Sequence, residues 1–476
     1  MDVSKLGKKV PGFFRPPMFL MGCFGKNMTE PTIVIIGGGF GGLAAAKALR
    51  NTPADIALID RTNHHLFQPL LYQVATSVLS PGQIGSPIRG ILRRQKNTTV
   101  VMGEAIGVDK DRKCVIVSDA DREAVPLPYD YLILATGASH SYFGHSEFEQ
   151  YAPGLKTLGD AEAVRNKVLA AFELAEAEED PSRHRDLLTF VLVGAGPTGV
   201  EMAGALAVLV HGTLRSEFRR IEPASARIVL VDAGHRVLQQ FSEDLSAAAK
   251  KRLERLGVDV RLGHTVDQID ADGVVVNGER IVSKTVIWTA GVAPSPVGKW
   301  LNRDANKTPV EKIVETDRAG RVRIQHDLTV AGYPEIFVIG DTASLDQDGK
   351  PLPGVAQVAI QQGRYAGKLI HSRVTGGPAL RPFRYFDKGN MAVVGKGFAV
   401  LQSGRLHVSG GLAWIAWAAI HLQFLATSSL RLAVFLQWVW TYLTGQRGDR
   451  LIVNHHQSEP WKTAPDTNAR AVATGG

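Results

Sequence analysis

The chain has 476 residues and only two cysteines, Cys23 and Cys114. They cannot form a C-x-x-C or C-x-x-x-x-C pair, which excludes a local dithiol relay for electrons. It also excludes a disulfide framework and a cysteine-based metal site. The chain reads as intracellular, with two free thiols. Charge of one sign is also scarce. The 54 basic and 46 acidic residues leave a net charge of +8, and no basic stripe with interleaved aromatics is present, so nucleic acid is not the expected partner. Part of the excess lies near the ends, at Lys5, Lys8, Lys9, Arg15, Arg431, Arg447 and Arg450, which suits attraction to anionic lipid. Residues 1–29 show no structured pattern. Their apolar run, Met18 to Gly22, is too short for a membrane span and lacks a signal-peptide cleavage site. His64 and His65 are adjacent, so they do not face one site on a helix or strand, and no metal site is expected.

What is present begins with Ile33-Val-Ile-Ile followed by Gly37, Gly38, Gly39, Phe40, Gly41 and Gly42, then an Ala- and Leu-rich stretch to Leu49. This is a strand, a tight turn and a helix start. Gly37, Gly39 and Gly42 have G-x-G-x-x-G spacing: one glycine for the turn, one for the approach of a pyrophosphate, one for close packing of helix on strand. The N-terminus of that helix then faces the phosphates. Asp60 ends the next apolar run and is placed to accept from a ribose. The following stretch, Asn63 to Thr76, mixes aromatics, amides and two histidines. Pro69 interrupts any single helix there, and the stretch reads as a loop lining a ring-shaped cofactor. Thr99 to Met102 and Lys113 to Val117 read as a small β-meander. Tyr129 to Leu134 is a buried strand ending in Ala135-Thr136-Gly137 and returning to the first parallel sheet.

The pattern then repeats. Thr189 to Val193 runs into Gly194-Ala195-Gly196-Pro197-Thr198-Gly199, with Glu201 in the helix that follows. Asp232 ends the next strand, and Thr285 to Thr289 ends in Ala290-Gly291. The fold class is therefore α/β, with two Rossmann-like dinucleotide-binding domains. Two such sites imply two dinucleotides, most economically FAD and a nicotinamide nucleotide. Further on, a strand ends in Gly340-Asp341, and a helix beginning near Gly354 carries Gln357 and Gln361 four residues apart on one face.

Gly411 to Leu443 contains one formal charge, Arg431, with Trp414, Trp417, Trp438 and Trp440 placed like interfacial anchors. Three readings are open: a span over Leu412 to Leu430, two helices broken near Thr427 and lying in one leaflet, or a buried core or dimer interface. The domain boundaries expected are a tail at 1–29, a discontinuous FAD-binding domain at 30–157 and 297–385, an NADH-binding domain at 158–296, a C-terminal membrane-anchoring region at 386–446 and a polar, mobile tail at 447–476.

Together these motifs resemble the type II NADH:quinone dehydrogenases, membrane-attached flavoproteins with a glutathione-reductase-like FAD/NAD(P) fold. The resemblance runs from about Pro31 to Leu443, and its most specific parts are residues 63–74 and the glutamine helix. It implies non-covalent FAD at the first site, on Gly37, Gly39, Phe40, Gly41, Gly42, Asp60, Arg61, Ala135, Thr136, Gly137, Gly340, Asp341, Ala356 and Gln357. It implies NADH at the second, on Gly194, Gly196, Pro197, Thr198, Gly199, Glu201, Asp232, Ala290 and Gly291. Gln357 and Gln361 resemble amides lining a quinone site, Glu201 a glutamate near the nicotinamide, and Lys388 a lysine near the flavin ring. The implied reaction passes a hydride from NADH to FAD and two electrons to a membrane quinone, menaquinone or ubiquinone, without proton pumping. The resemblance favours monotopic or peripheral attachment at the cytoplasmic side of the cell membrane, and a homodimer is compatible with it.

Two rivals share the nucleotide sites: a soluble NADH-dependent reductase serving a ferredoxin, and an FAD- and NAD-binding redox sensor. Neither accounts for the Trp-rich apolar segment. Asp232 favours NADH, because a carboxylate repels a 2′-phosphate, although Arg236 is near in sequence. The expected outcome is a higher kcat/KM for NADH than for NADPH in steady-state assays, and equal values contradict it.

Overall fold

A computed structural model describes residues 30–118, 124–303 and 313–453. The expected N-terminal tail and most of the expected C-terminal tail lie outside these residues. The chain divides into two compact units. The first comprises Met1–His65, Pro87–Ala138 and Pro294–Tyr385; the second comprises Leu66–Ser86, Ser139–Ala293 and Phe386–Gly476.

The first unit is built on a six-stranded sheet. Its order is Thr329–Val330, Tyr333–Val338, Tyr131–Leu134, Thr32–Ile36, Asp55–Asp60 and Thr98–Met102. All neighbours pair in parallel except the short edge strand Thr329–Val330. Ile33, Val34 and Ile35 are wholly buried, as a central parallel strand covered on both faces requires. One face packs on the helices Phe40–Ala48 and Ala356–Thr375. The other packs on a three-stranded meander of Glu104–Asp109, Cys114–Ser118 and Val125–Pro128. Thr98–Met102 is thus the edge of the main sheet and not part of the meander, which corrects the sequence reading. Its Val100 and Val101 pair in register with Leu58 and Ile59, and short apolar strands look alike whichever sheet takes them.

The second unit repeats the plan. Val258–Leu262, Arg227–Asp232, Thr189–Val193 and Thr285–Trp288 form a parallel sheet in the order of their counterparts. A three-stranded meander, Val266–Asp270, Gly273–Val276 and Glu279–Val282, lies between the third and fourth of these in sequence. The unit also contains an antiparallel sheet of Asn390–Val393, Ala399–Ser403 and Leu406–Gly410. Two helices follow, Gly411–Phe424 and Ser428–Thr444.

These two helices form an apolar hairpin. Thr427 caps the second, accepting from the Leu430 amide, and Arg431 Nε donates to the Leu425 carbonyl at 3.2 Å, so the lone charge closes the bend. Among the described residues no helix is long and apolar enough to cross a membrane. The single-span reading is replaced by two helices, because the chain turns at Leu425 to Thr427. Trp417 and Trp438 are not at the surface ends as anchors: Trp417 is 2% exposed and its ring stacks on Trp438 at 5.3 Å. The expected polar tail from residue 447 also differs. Arg447 is buried, and Arg450, Asp449 and Val453 bond to Glu217, Arg165 and Asn166. A guanidinium that finds backbone carbonyls inside the fold outweighs the polar appearance of its neighbours.

In the first unit the two covering helices meet backbone to backbone. A Cβ on Gly363 would lie 2.1 Å from the Gly41 carbonyl oxygen, and one on Gly367 2.9 Å from that of Ala45. Gly363→Ala should therefore cost about 1–3 kcal/mol through overpacking. Gly212→Ala, whose Cβ would meet open space, should cost far less. Urea unfolding midpoints of the two variants check this.

Candidate functional site

In the first unit the strand Thr32–Ile36 delivers the chain to Gly37, whose φ of +102° suits glycine. Its amide donates to the Ile59 carbonyl at 2.7 Å. A Cβ there would strike the Ala135 carbonyl, and one on Gly42 would lie 1.8 Å from the Gly37 carbonyl oxygen. Gly39, by contrast, faces open space, and no side chain caps the helix that starts at Phe40. An uncapped helix start behind an open glycine is a cradle for a phosphate group.

Asp60 braces this loop. One carboxylate oxygen accepts from the Gly38 amide at 2.6 Å, and the other accepts from the amide and hydroxyl of Thr62 at 2.7 Å. A carboxylate offers about four acceptor sites, so capacity for ribose hydroxyls remains. The sequence did not reveal the brace. Nor did it reveal His65, which is buried, with Nδ1 3.0 Å from the Gly38 carbonyl and its ring edge-on to Phe40. Burial holds the His65 pKa below its ordinary value, so the neutral ring donates from Nδ1. The sequence signal was its place in the Asn63–Thr76 stretch, read as a loop lining a ring-shaped cofactor; its bond to the glycine loop was not legible there. Arg61 is exposed. Thr136 bonds to the Ser295 hydroxyl.

Gly340, Asp341 and the glutamine helix lie in the same unit. A Cβ on Gly41 would stand 3.1 Å from Ile339 and 3.3 Å from the Ala359 carbonyl oxygen, so the glycine loop and the start of the glutamine helix are in contact. Asp341 lies beside Gly354. The helix begins at Ala356 with no side-chain cap on its first amides. Gln357 and Gln361 are both half-buried. Gln362, which the pairing argument passed over, is buried and accepts from the Gly340 amide at 2.7 Å, fixing the turn that presents Asp341. Its identity was hidden because a fully buried glutamine and a solvated one read alike in sequence.

The second unit holds the other loop with matching contacts. The Gly194 amide donates to the Val231 carbonyl at 2.7 Å, and a Cβ on Gly199 would lie 1.8 Å from the Gly194 carbonyl oxygen. Gly196 faces open space, and the helix Pro197–Val208 begins uncapped, with Pro197 exposed and Thr198 half-buried. Asp232 accepts from the Ala195 amide at 2.5 Å and the Gly234 amide at 2.6 Å, the same brace as Asp60. Arg236 lies 3.4 Å from the Gln239 carbonyl and 3.8 Å from Glu243. Gly194 abuts Ala290, and Gly291 packs against Phe143.

Glu201 lies in the first turns of this helix, buried, and among the described residues it accepts one long bond, 3.3 Å, from the Val393 amide. Burial pushes its pKa up to about 8, so it holds a proton at neutral pH. Lys388, in the same unit, is exposed. Among the described residues no group of His, Cys, Asp and Glu is arranged to hold a metal ion.

Because the folded pKa of Glu201, about 8, lies above the ordinary carboxyl value of 4.5, the folded state binds an extra proton between those two values. Stability contributed below that window is lost as pH rises through about 8. Glu201→Gln should flatten this fall. The check is urea unfolding of wild type and variant across that range, and parallel slopes contradict it.

Comparison with known proteins agrees with this geometry. A family model of pyridine nucleotide-disulphide oxidoreductases matches residues 31–363. The chain is 44% identical, over 429 residues, to the type II NADH:quinone oxidoreductase Ndh of Mycobacterium tuberculosis, covering 89% of this chain and 90% of that one. It is 45% identical over 430 residues to NdhA of the same organism, covering 89% of each. Its fold is similar to that of NDH2 from Plasmodium falciparum in complex with NADH, with a TM-score of 0.79 at 21% identity, covering 89% of this chain and 100% of that one. The chain belongs to the type II NADH:quinone oxidoreductases, within the pyridine nucleotide-disulphide oxidoreductase family.

Proposed function

We infer that this protein is a non-proton-pumping NADH:quinone oxidoreductase that uses FAD. The observation that carries this reading is the duplicated cradle, one open glycine loop with a braced aspartate in each unit, in a chain without a cysteine pair to take the electrons.

The residues of the first unit fit FAD. Gly39 leaves room where a Cβ would intrude, Asp60 retains acceptor capacity, and Asp341 and the uncapped start of the glutamine helix sit against the loop. The second unit's loop fits NADH, with Asp232 braced at the loop where the ribose would lie. Bound FAD would supply the redox chemistry, accepting hydride from NADH and yielding two electrons for a quinone. The protein's part is orientation and electrostatics. The positive end of the Ala356–Thr375 helix favours negative charge at its start. Gln357 and Gln361 present amides from one face of that helix to orient quinone carbonyls. Glu201, neutral at working pH, stores a proton beside the nicotinamide loop. Lys388, exposed in the same unit, is a second proton-bearing group.

The hairpin Gly411–Thr444 docks on a lipid surface in one leaflet. Leu412, Ile415, Leu432, Phe435, Leu436, Trp440 and Leu443 are all exposed, Leu412 at 77% and Leu443 at 76%. A contiguous apolar face of this kind marks an interaction surface, and a quinone acceptor is itself lipid-soluble. The membrane side is the cytoplasmic one, where the nicotinamide nucleotide is available.

Gln361→Ala should lower NADH:quinone turnover about tenfold or more, the scale of a lost hydrogen bond to a buried acceptor, and lower NADH:ferricyanide turnover much less. Equal losses in both assays contradict the quinone role. Replacing Leu412, Ile415, Leu432 and Leu436 together by serine should release the protein from liposomes. Retention on vesicles washed with high salt contradicts lipid docking, and a shift from dimer to monomer without release assigns the face to a second copy of the chain.

A further inference from the structure

In the parallel sheet of the second unit, Thr189–Val193 has Arg227–Asp232 on one side and Thr285–Trp288 on the other. The strand order reverses there, and a dinucleotide lies across such a point. Its pyrophosphate belongs over the open Gly196 and the uncapped helix start, and its adenosine ribose toward Asp232. The nicotinamide half then runs the other way, over the end of Thr285–Trp288. At that end Ala290 abuts Gly194, and Thr289 Oγ1 donates to the Val193 carbonyl at 2.8 Å. The next residue, Gly291, has an aromatic ring against it. A Cβ on Gly291 would lie 2.5 Å from Phe143 Cζ and 2.9 Å from Phe143 Cε2. All these residues belong to the second unit.

Phe143 is poorly suited to its place by folding alone. It is 68% exposed, so burial of its ring contributes little. Its backbone is left-handed, with φ +52°, and Gly144 follows at φ +99°. Across them the His145 amide donates to the Tyr142 carbonyl at 3.0 Å. Two-residue turns with both central residues at positive φ favour Asn, Asp or Gly at the first of them. A phenylalanine there is strained and stays only where its surroundings enforce it. They do so here. Trp288 Nε1 donates to the Ser141 carbonyl at 2.9 Å, and the Tyr142 hydroxyl donates to the Ala152 carbonyl at 3.0 Å. The Tyr142 and Trp288 rings, 5.0 Å apart, are buried behind the turn. An aromatic ring is thus held out of the core, in an unfavourable conformation, at the nicotinamide end of the crevice.

We propose that Phe143 is a substrate-binding residue whose ring forms one wall for the nicotinamide half of the dinucleotide as that half lies over Gly291. This placement rests on the second unit holding NADH, as proposed above. An aromatic face suits a flat heteroaromatic ring. Because the turn is already anchored, the wall costs little ordering when the nucleotide binds. The neighbouring His145 is engaged within the turn, bonded to Glu147 and stacked on Phe148 at 4.8 Å. Gly291 leaves the ring in place, since a side chain there would displace it.

The test is anaerobic stopped-flow reduction of the purified flavoprotein by NADH, with ADP-ribose, which lacks the nicotinamide, as a competing ligand. Phe143→Asn suits the turn and removes the ring. It should raise the Kd for NADH about five- to tenfold, the scale of one aromatic contact. It should leave the inhibition constant of ADP-ribose unchanged and keep or raise the urea unfolding midpoint. Phe143→Gly should behave in the same way, and Phe143→Tyr should restore the Kd of the wild type. The proposal is overturned if Phe143→Asn leaves the Kd for NADH unmoved. It is also overturned if NADH and ADP-ribose weaken alike, which puts the ring at the adenosine half, or if stability falls together with affinity, which makes the ring packing alone. Failure of the NADH site itself has a different signature: ADP-ribose would then not compete with NADH in the wild type, whatever stands at position 143.

Discussion

One backbone contact governs each half of the molecule: a helix pressed onto the strand before it, with glycine at the point of contact. Gly42 stands where a Cβ would lie 1.8 Å from the Gly37 carbonyl oxygen, and Gly199 repeats this against Gly194. No side chain fits in either place. The approach brings an uncapped helix N-terminus to the end of the sheet, and the next strand's aspartate, Asp60 or Asp232, bonds back into the loop. Strand order, meander position and the hydrogen bonds at Gly37 and Gly194 follow the same plan in both units. Two nucleotides are thus held by one architecture used twice, and the difference between them comes from what surrounds each loop: the glutamine helix in one unit, Glu201 in the other.

The family name refers to disulphide chemistry, yet this chain has just two cysteines, Cys23 and Cys114, far apart in sequence. Electrons that reach the flavin have no thiol pair to enter and must leave to an outside acceptor. The glutamines at 357 and 361 and the apolar hairpin make sense together in that light. On the proposed reading, the first orients an acceptor's carbonyls, and the second seeks the phase in which a lipid-soluble acceptor is dissolved. Burial does the electrostatic work, keeping Glu201 protonated near neutral pH without a neighbouring carboxylate.

Much of this was legible in the sequence, because the signals are local. Ile33 to Gly42 and Phe190 to Gly199 encode a strand, turn and helix through spacing alone, and the repeat of the pattern gave the two-domain plan. The break near Thr427 was legible as polar residues within an apolar run. What stayed hidden depends on partners distant in sequence. Gln362 bonds to Gly340, His65 to Gly38, and Gln73 to Trp438, and nothing in composition marks such residues as buried. Arg447 looked like the start of a polar tail, yet two backbone carbonyls hold it in the interior. Trp417 and Trp438 looked like interfacial anchors because tryptophan suits both a membrane surface and a packed core. Thr98–Met102 was assigned to the wrong sheet because a short apolar strand carries no record of its partner.

The central claim is that electrons from NADH leave this protein on a quinone. The most direct measurement is anaerobic turnover of the purified flavoprotein with NADH and a short-chain quinone, following both by absorbance. The account predicts one quinol formed for each NADH consumed, with no other acceptor present. NADH consumption only with ferricyanide or a protein acceptor, and no quinol formed, would contradict it.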